Sequence, residues 1–252
     1  MSVRKKVFAA CRLCLQERDL RESHIVSGFI WRNSEVTGDK CKFDLKCISD
    51  PKLSERHRQD GLKEYLLCND CEGRFARFED YARRKLFNRS GPIPIQQRPG
   101  KHFVWTGLEY TKLKLFQMSL LWRMGISNHP YYAHVNLGKH GEILRRMLLD
   151  ENPGEPWRYG CIATLLSHVD EPMLGIFSQP ERIKLLGHSC YRLVLAGMHW
   201  YIFVSSHKPR SIVDSLFLLP SGTWTLFRGE IFDFPYLRAQ VMELRRQSKE
   251  SK

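Results

Sequence analysis

The sequence predicts an α+β protein, a cysteine-rich N-terminal module followed by a domain that runs helices first and strands second. Three observations predict it. Six of the eight cysteines fall within residues 1–87, four of them as two Cys-x2-Cys pairs. Helical periodicity is concentrated in Cys68 to Leu86 and in Tyr110 to Asp150. After Asn152-Pro153-Gly154 the pattern changes to short apolar runs divided by turn residues, as antiparallel strands require.

Taken in order, Val7-Phe8-Ala9-Ala10 reads as a short strand entering the turn at Cys11-Arg12-Leu13-Cys14. Asp19 to Ile30 reads as a second strand with a helical start at Gly28-Phe29-Ile30-Trp31, and the polar stretch Asn33 to Leu62 as an inserted excursion. Cys68 to Leu86 predicts a helix, because Phe75, Phe78, Ala82 and Leu86 recur at helical spacing. Glu79 and Arg83, four apart, are expected to pair on its surface. Ser90-Gly91-Pro92-Ile93-Pro94 and Arg98-Pro99-Gly100 carry extended and turn signals, so residues 88–107 read as a linker between a module at 1–87 and a domain at 108–252. That domain opens with an amphipathic helix, Tyr110 to Met124, with Leu113, Phe116, Leu120 and Leu121 on one face and Gly125 as its stop. Lys139 to Asp150 is a second helix. Tyr191 to Leu195 and Trp200 to Ser205 predict a hairpin around Ala196-Gly197-Met198; Ile212 to Leu219 and Thr223 to Phe227 predict further strands, and Tyr236 to Gln247 a basic helix.

Composition bounds the function. Hydrophobic residues at 42% and charged residues at 27% are the balance of a soluble globular chain. Leu193 to Val204, the longest nearly apolar run, is too short for a transmembrane helix. Val7 to Ala10 is too short for the apolar region of a signal peptide, which predicts a cytoplasmic protein with reduced thiols. Forty Lys and Arg against 27 Asp and Glu leave a net charge of +13, spread along the chain. Such a surface attracts phosphate backbones at long range, so a polyanion is the expected partner and membrane is not.

Two matched knuckles with two residues between thiols let Cys11, Cys14, Cys68 and Cys71 turn onto one ion. Four thiolates complete a tetrahedral zinc site with no position open to substrate, which makes the metal structural. Cys41 and Cys47, with His57 nearby, match no ligand spacing and read as free thiols, and Cys161 and Cys190 read as core. His188-Ser189-Cys190 and Ser205-Ser206-His207 supply nucleophile and base types without any sign that they meet. Tyr131, Tyr132 and Trp157 are stacking candidates whose alternative is packing, and Trp122 reads as packing.

A first knuckle, then Ser23-His24-Ile25, then Leu66-Leu67-Cys68-Asn69-Asp70-Cys71-Glu72 opening a helix, resembles the His-Asn-His (HNH) endonucleases with their treble-clef, ββα-metal core. The resemblance covers roughly the first third of the chain. It implies that His24 is the general base. It also implies that Glu72 holds a catalytic Mg2+ or Mn2+ ion where the family has His or Asn, with Glu79 or Glu22 as helpers. Ser23 stands where the family has Asp, and Lys63, Glu64 and Tyr65 occupy the neighbourhood of its middle Asn. Read as residues alone, His24 is equally a hairpin-stabilising histidine, and Glu72 a first-turn acid that favours the helix N-terminus. Two functions follow: an HNH-like endonuclease acting on nucleic acid, DNA first, or a non-catalytic zinc module that binds nucleic acid or a protein partner.

Overall fold

The computed structural model describes residues 6–31, 46–47, 61–86, 102–169, 171–172, 176–208 and 214–250. They form a mixed α/β structure with a four-cysteine cluster near the N-terminus.

The small N-terminal sheet has the order β1-β2-β4, with β1 at Val7–Ala10, β2 at Glu17–His24 and β4 at Lys63–Cys68, all antiparallel. A short helix α1, Gly28–Trp31, follows β2, as the sequence leads one to expect. The register of β2 against β4 shifts between Arg21 and Glu22. Such a bulge lets neighbouring residues face the same way. Helix α2, Asn69–Leu86, leaves β4 without a loop and buries Cys71, Phe75, Phe78, Tyr81, Ala82 and Leu86 along one stripe. Most of the predicted excursion lies outside the described residues; its β3, Lys46–Cys47, pairs in parallel with β8, Ile176–Phe177.

The second segment is organised by a seven-stranded sheet of order β5-β12-β6-β11-β10-β9, with β7 (Glu171–Pro172) added beside β6. Its strands are β5 His102–Trp105, β6 Cys161–His168, β9 Glu181–Leu185, β10 His188–Leu195, β11 Met198–Phe203 and β12 Trp224–Glu230. Only β12 and β6 run parallel; the other neighbours are antiparallel. The predicted hairpin is there. Ala196 and Gly197 both have positive φ, 55° and 73°, the left-handed pair that matches a two-residue turn to the twist of its strands.

Four expectations need correction. Residues 88–101 lie outside the described residues, but 102–105, expected as linker, form the edge strand β5 against β12. Of the strand expected over Ile212 to Leu219, the described residues 214–219 form none: Asp214–Leu216 is a single 3-10 turn, and residues 209–213 lie outside the described residues. Helix α3, Tyr110–Ile126, runs past Gly125, where the absent side chain admits Leu137. Nor is it amphipathic, since every residue from Leu113 to Met124 is buried. It lies between α2 on one side and α4, Lys139–Leu149, on the other. A helix buried all round is a central core element rather than a surface one.

The core crosses the segment boundary. One cluster runs from Cys11 and Leu13 through Phe75 and Trp122 to Trp200 and Trp224, and the rings of Phe75 and Trp122 meet edge-on at 6.0 Å. Trp122, Tyr131 and Tyr132 are therefore packing residues. The C-terminal helix α5, Pro235–Glu250, docks through Leu237 and Val241 onto Leu166, Val194 and Ile231.

Candidate metal centre and the polar site beside it

The first knuckle sits in the turn between β1 and β2. Cys11 N–H donates to Gln16 O at 2.9 Å and Leu15 N–H to Cys11 O at 2.8 Å, with Leu15 in the left-handed region at φ 64°. Arg12 N–H donates to Leu66 O at 2.9 Å, which fastens the turn to β4. Cys68 ends β4 and Cys71 lies in the first turn of α2, where the helix N-terminus favours thiolate. Cys68 N–H points at Cys11 Sγ, 3.3 Å away. All four sulfurs lie within 4.8 Å of one another, and the Cys14 and Cys68 sulfurs are 3.9 Å apart. Among the described residues this is the one group of three or more Cys, His, Asp or Glu side chains close enough to share an ion.

Without a cation the cluster is unfavourable as thiolate. Burial, and then the neighbouring Cys68 and Cys11 sulfurs, push the Cys71 thiol far above its ordinary range. A metal ion inverts that balance by taking the sulfurs as anions. Four thiols at these distances could hold a metal such as zinc. The second segment braces the site: Arg145 of α4 donates from Nη1 to Leu13 O at 2.5 Å and lies near Cys14.

One residue beyond Cys71, Glu72 turns into the interior. Its Oε1 is buried and has no hydrogen-bond partner. Burial raises its carboxyl above the ordinary range; the Ser23 hydroxyl and the Arg123 and Arg21 guanidinium groups pull it back down, and Glu79 pushes it up. Ser23 is fully buried, and His24, the last residue of β2, is half-buried and opposite Lys63 in the ladder. Glu22 is exposed and opposite Tyr65, so it does not join Glu72.

The side chain that ties this site together comes from α3. Arg123 is 1% exposed, yet its Nη1 donates to the backbone oxygen of His24 at 2.8 Å. Its Nη2 meets Glu79 Oε1 at 2.6 Å and Ser27 Oγ at 3.2 Å, and its guanidinium lies over the Phe75 ring. The Ser27 hydroxyl donates to the same Glu79 oxygen at 2.8 Å. The expected Glu79–Arg83 pair is thus replaced by Glu79–Arg123, and Arg83 faces Asp80 instead at 3.9 Å. Glu64, in the neighbourhood of the missing Asn, accepts from Ser127 Oγ at 2.6 Å and from Asn128 N–H at 3.1 Å, binding β4 to the end of α3.

Sequence reasoning missed Arg123 and Arg145. The signal for Arg123 was available: from Leu113 to Met124, α3 is apolar except for Lys114, Gln117, Ser119 and Arg123. A charge on such a helix must find a buried partner. Arg145 carried no comparable signal, because α4 has an ordinary polar face.

The remaining candidates do not assemble into chemistry. Cys161 and Cys190 are buried in strands, and burial raises both thiols, Cys190 to about 12. His188 Nδ1 does meet Ser205 Oγ at 3.3 Å, but the hydroxyl donates to His207 O and accepts from His207 N–H, which leaves no free nucleophile. Cys41 and His57, and the side chain of Cys47, lie outside what is described.

Fold and site together define a mixed α/β protein with a four-cysteine cluster able to hold a metal ion. Set against known protein families, characterised proteins and solved structures, the chain matches none. No helix among the described residues is long and apolar enough to cross a membrane.

Proposed function

We propose that the protein is a zinc-bearing, HNH-like endonuclease that hydrolyses phosphodiester bonds in nucleic acid, DNA first, in the cytoplasm. The observation that carries this reading is Glu72 Oε1, a buried oxygen with no partner, beside Ser23 and one residue from the second knuckle. A buried carboxylate oxygen without a donor is costly, and a hard divalent cation is the partner its chemistry suits. A hairpin with one knuckle at its turn, and a strand running into a helix that carries the second, is also the arrangement of a treble clef. In that reading Cys11, Cys14, Cys68 and Cys71 select zinc and keep it structural, because soft thiolates fill all four positions.

The roles follow from placement. His24 ends β2 with its carbonyl gripped by Arg123, so the backbone that presents the imidazole is fixed. A neutral imidazole there takes the proton of the attacking water. Glu72 would hold Mg2+ or Mn2+, which supplies positive charge to the phosphate and the leaving oxygen. Ser23 and Arg123 orient Glu72. Glu79 is committed to Arg123 and Ser27 and is not a ligand in this scheme. The +13 charge supports a polyanionic substrate.

One observation favours the second reading, a zinc module that binds nucleic acid without cutting it. The Arg123 guanidinium already occupies the cationic place beside Glu79, leaving Glu72 as the one acid at the site open to an ion. Incubation of supercoiled plasmid with Mg2+ or Mn2+ separates the two. Parent protein should nick it, and His24→Ala should slow nicking by about a hundredfold or more while leaving salt-sensitive binding intact. Salt-sensitive binding by a parent that never cuts would establish the non-catalytic module instead.

A further inference from the structure

The outer face of the small sheet carries a groove of about 680 Å3. Register fixes which side chains share that face. Phe8 pairs with Asp19 and Val7 with Leu20, so Lys6, Phe8, Asp19 and Arg21 lie on the side opposite buried Leu20. Across the other ladder Glu22 pairs with Tyr65 and His24 with Lys63. The shift between Arg21 and Glu22 leaves both side chains exposed on the same side. The groove's lining agrees with the register: it draws on Lys6, Asp19, Arg21, Glu22, Lys63 and Tyr65, with Asn69 at the start of α2.

Two aromatic rings on this face stand in water rather than in the core. Phe8, beside the groove, is 69% exposed and Tyr65, within it, 36%. Each lies directly opposite a carboxylate, Phe8 to Asp19 and Tyr65 to Glu22. Strand spacing and rise set the two pairs roughly 12 Å apart, too far to sandwich one flat ring between them. Arg21 lies between the pairs and donates from Nε and Nη2 to Asn69 Oδ1 at 3.2 and 2.9 Å. That partner is a neutral amide, so the charge of Arg21 is not offset, and further N–H donors remain. The groove also adjoins the polar site: Lys63 is opposite His24, and Arg21 is near enough to Glu72 to pull its carboxyl down.

The lining suits neither a bare anion nor an apolar ligand. Three cations are offset by two carboxylates, which would hold inorganic phosphate weakly. A ligand that satisfies every group carries phosphate charge, a flat face and amino hydrogens on its edge, as an unpaired base on its backbone does. In a duplex the flat face is already stacked and the Watson–Crick edge already paired. Carboxylates accept from the amino group of cytosine. Thymine has no amino group and sets its one ring N–H between two carbonyl oxygens, which a carboxylate repels. We propose that this face binds single-stranded nucleic acid, with one base stacked on Phe8 and another on Tyr65. Amino edges then meet Asp19 and Glu22, and phosphates meet Arg21, Lys6 and Lys63. That nucleic acid is the partner rests on the endonuclease reading; the unpaired strand, and the bases it prefers, come from this face.

Fluorescence anisotropy with labelled DNA on the full chain, without added Mg2+ or Mn2+, tests it. Oligo(dC) should bind saturably and about tenfold more tightly than a duplex of equal length, with oligo(dT) between them. Phe8→Ala and Tyr65→Ala should each weaken oligo(dC) by about tenfold, the scale of one lost base stack, and leave the duplex unchanged. Tyr65→Phe keeps the ring and should bind as the parent does. Glu22→Ala should narrow the preference for oligo(dC) over oligo(dT). Both rings are exposed, so their removal leaves the fold intact, and circular dichroism checks this. Duplex bound as tightly as oligo(dC) overturns the proposal, even in a protein that nicks plasmid. So does oligo(dC) affinity that Phe8→Ala and Tyr65→Ala both leave at the parent value, which marks adsorption to the basic surface. Parent protein that holds oligo(dC) through both rings and never cuts would keep this proposal and remove the endonuclease.

Discussion

Strands β2 and β6 are each eight residues long, and they hold their places by opposite means. In β6 seven of the eight residues are buried, and the apolar surface it removes from water stabilises it directly. In β2 five residues are exposed and two are buried, and its sequence, Glu-Arg-Asp-Leu-Arg-Glu-Ser-His, gives it little to bury. What fixes β2 lies outside it: the thiol cluster at one end and Arg123 gripping the His24 carbonyl at the other. A strand held this way keeps its polar side chains for chemistry, and a strand like β6 cannot. The difference also says where the protein is vulnerable. The small sheet should fail when a few polar groups are removed, whereas the large sheet should fail only when volume is removed.

The largest expected effect removes a thiol. Cys68→Ser or Cys71→Ser, or a strong chelator, should abolish hydrogen-exchange protection in β2, β4 and α2 while amides of β6, β10 and β11 stay protected. Loss of all of them in one step would break the contrast and make the chain a single cooperative unit. Next comes the buried pair. Glu79→Gln strands a charge on Arg123 and should cost about 3–5 kcal/mol in urea unfolding. Replacing both, Arg123→Met with Glu79→Leu, should recover most of that loss. Arg83→Ala should be close to silent, because Arg83 is exposed and its own contact, to Asp80, is a loose surface one.

A smaller effect sharpens the comparison through α3, which carries a second buried cation. Lys114 donates to Pro156 O at 2.9 Å and Tyr159 O at 3.0 Å, with no carboxylate beside it among the described residues, and burial lowers it to about 7. Between that value and its ordinary 10.5 the unfolded chain holds a proton that the folded chain does not. The parent's stability therefore gains from this group as pH rises through the window, and the penalty of burying it is fully present below pH 7. Lys114→Met removes that gain. Its stability relative to the parent should fall by on the order of 2 kcal/mol from pH 7 to pH 9, against a constant loss from the two freed carbonyls. An unchanged difference across that range would show that Lys114 does not titrate there.

The sequence made the thiol cluster legible because two equal knuckles are a local pattern, and the structure brings all four sulfurs together. Helix α2 and the β10–β11 hairpin were legible for the same reason, one from periodicity and one from Ala196-Gly197. The polar site was only half legible. Glu79 looked like a surface acid because Arg83 lies four residues away, and the partner that wins is 44 positions distant, since 123 less 79 is 44. Residues 102–105 looked like linker because four residues next to glycine and proline carry too little pattern to show an edge strand, whose partner β12 lies more than a hundred positions on. In each case a local rule lost to a contact that only the folded chain supplies.

The most direct test counts metals of two kinds on one module. Purified protein should keep one zinc through gel filtration, and the zinc-loaded protein should bind one further Mn2+ reversibly, followed by its electron paramagnetic resonance. Glu72→Gln should abolish the Mn2+ site without loss of zinc, and Glu79→Gln should leave Mn2+ affinity within about threefold, provided the variant is folded. Well-folded protein without zinc, or Mn2+ binding that Glu72→Gln leaves unchanged, would contradict the assignment of the four thiolates and of Glu72.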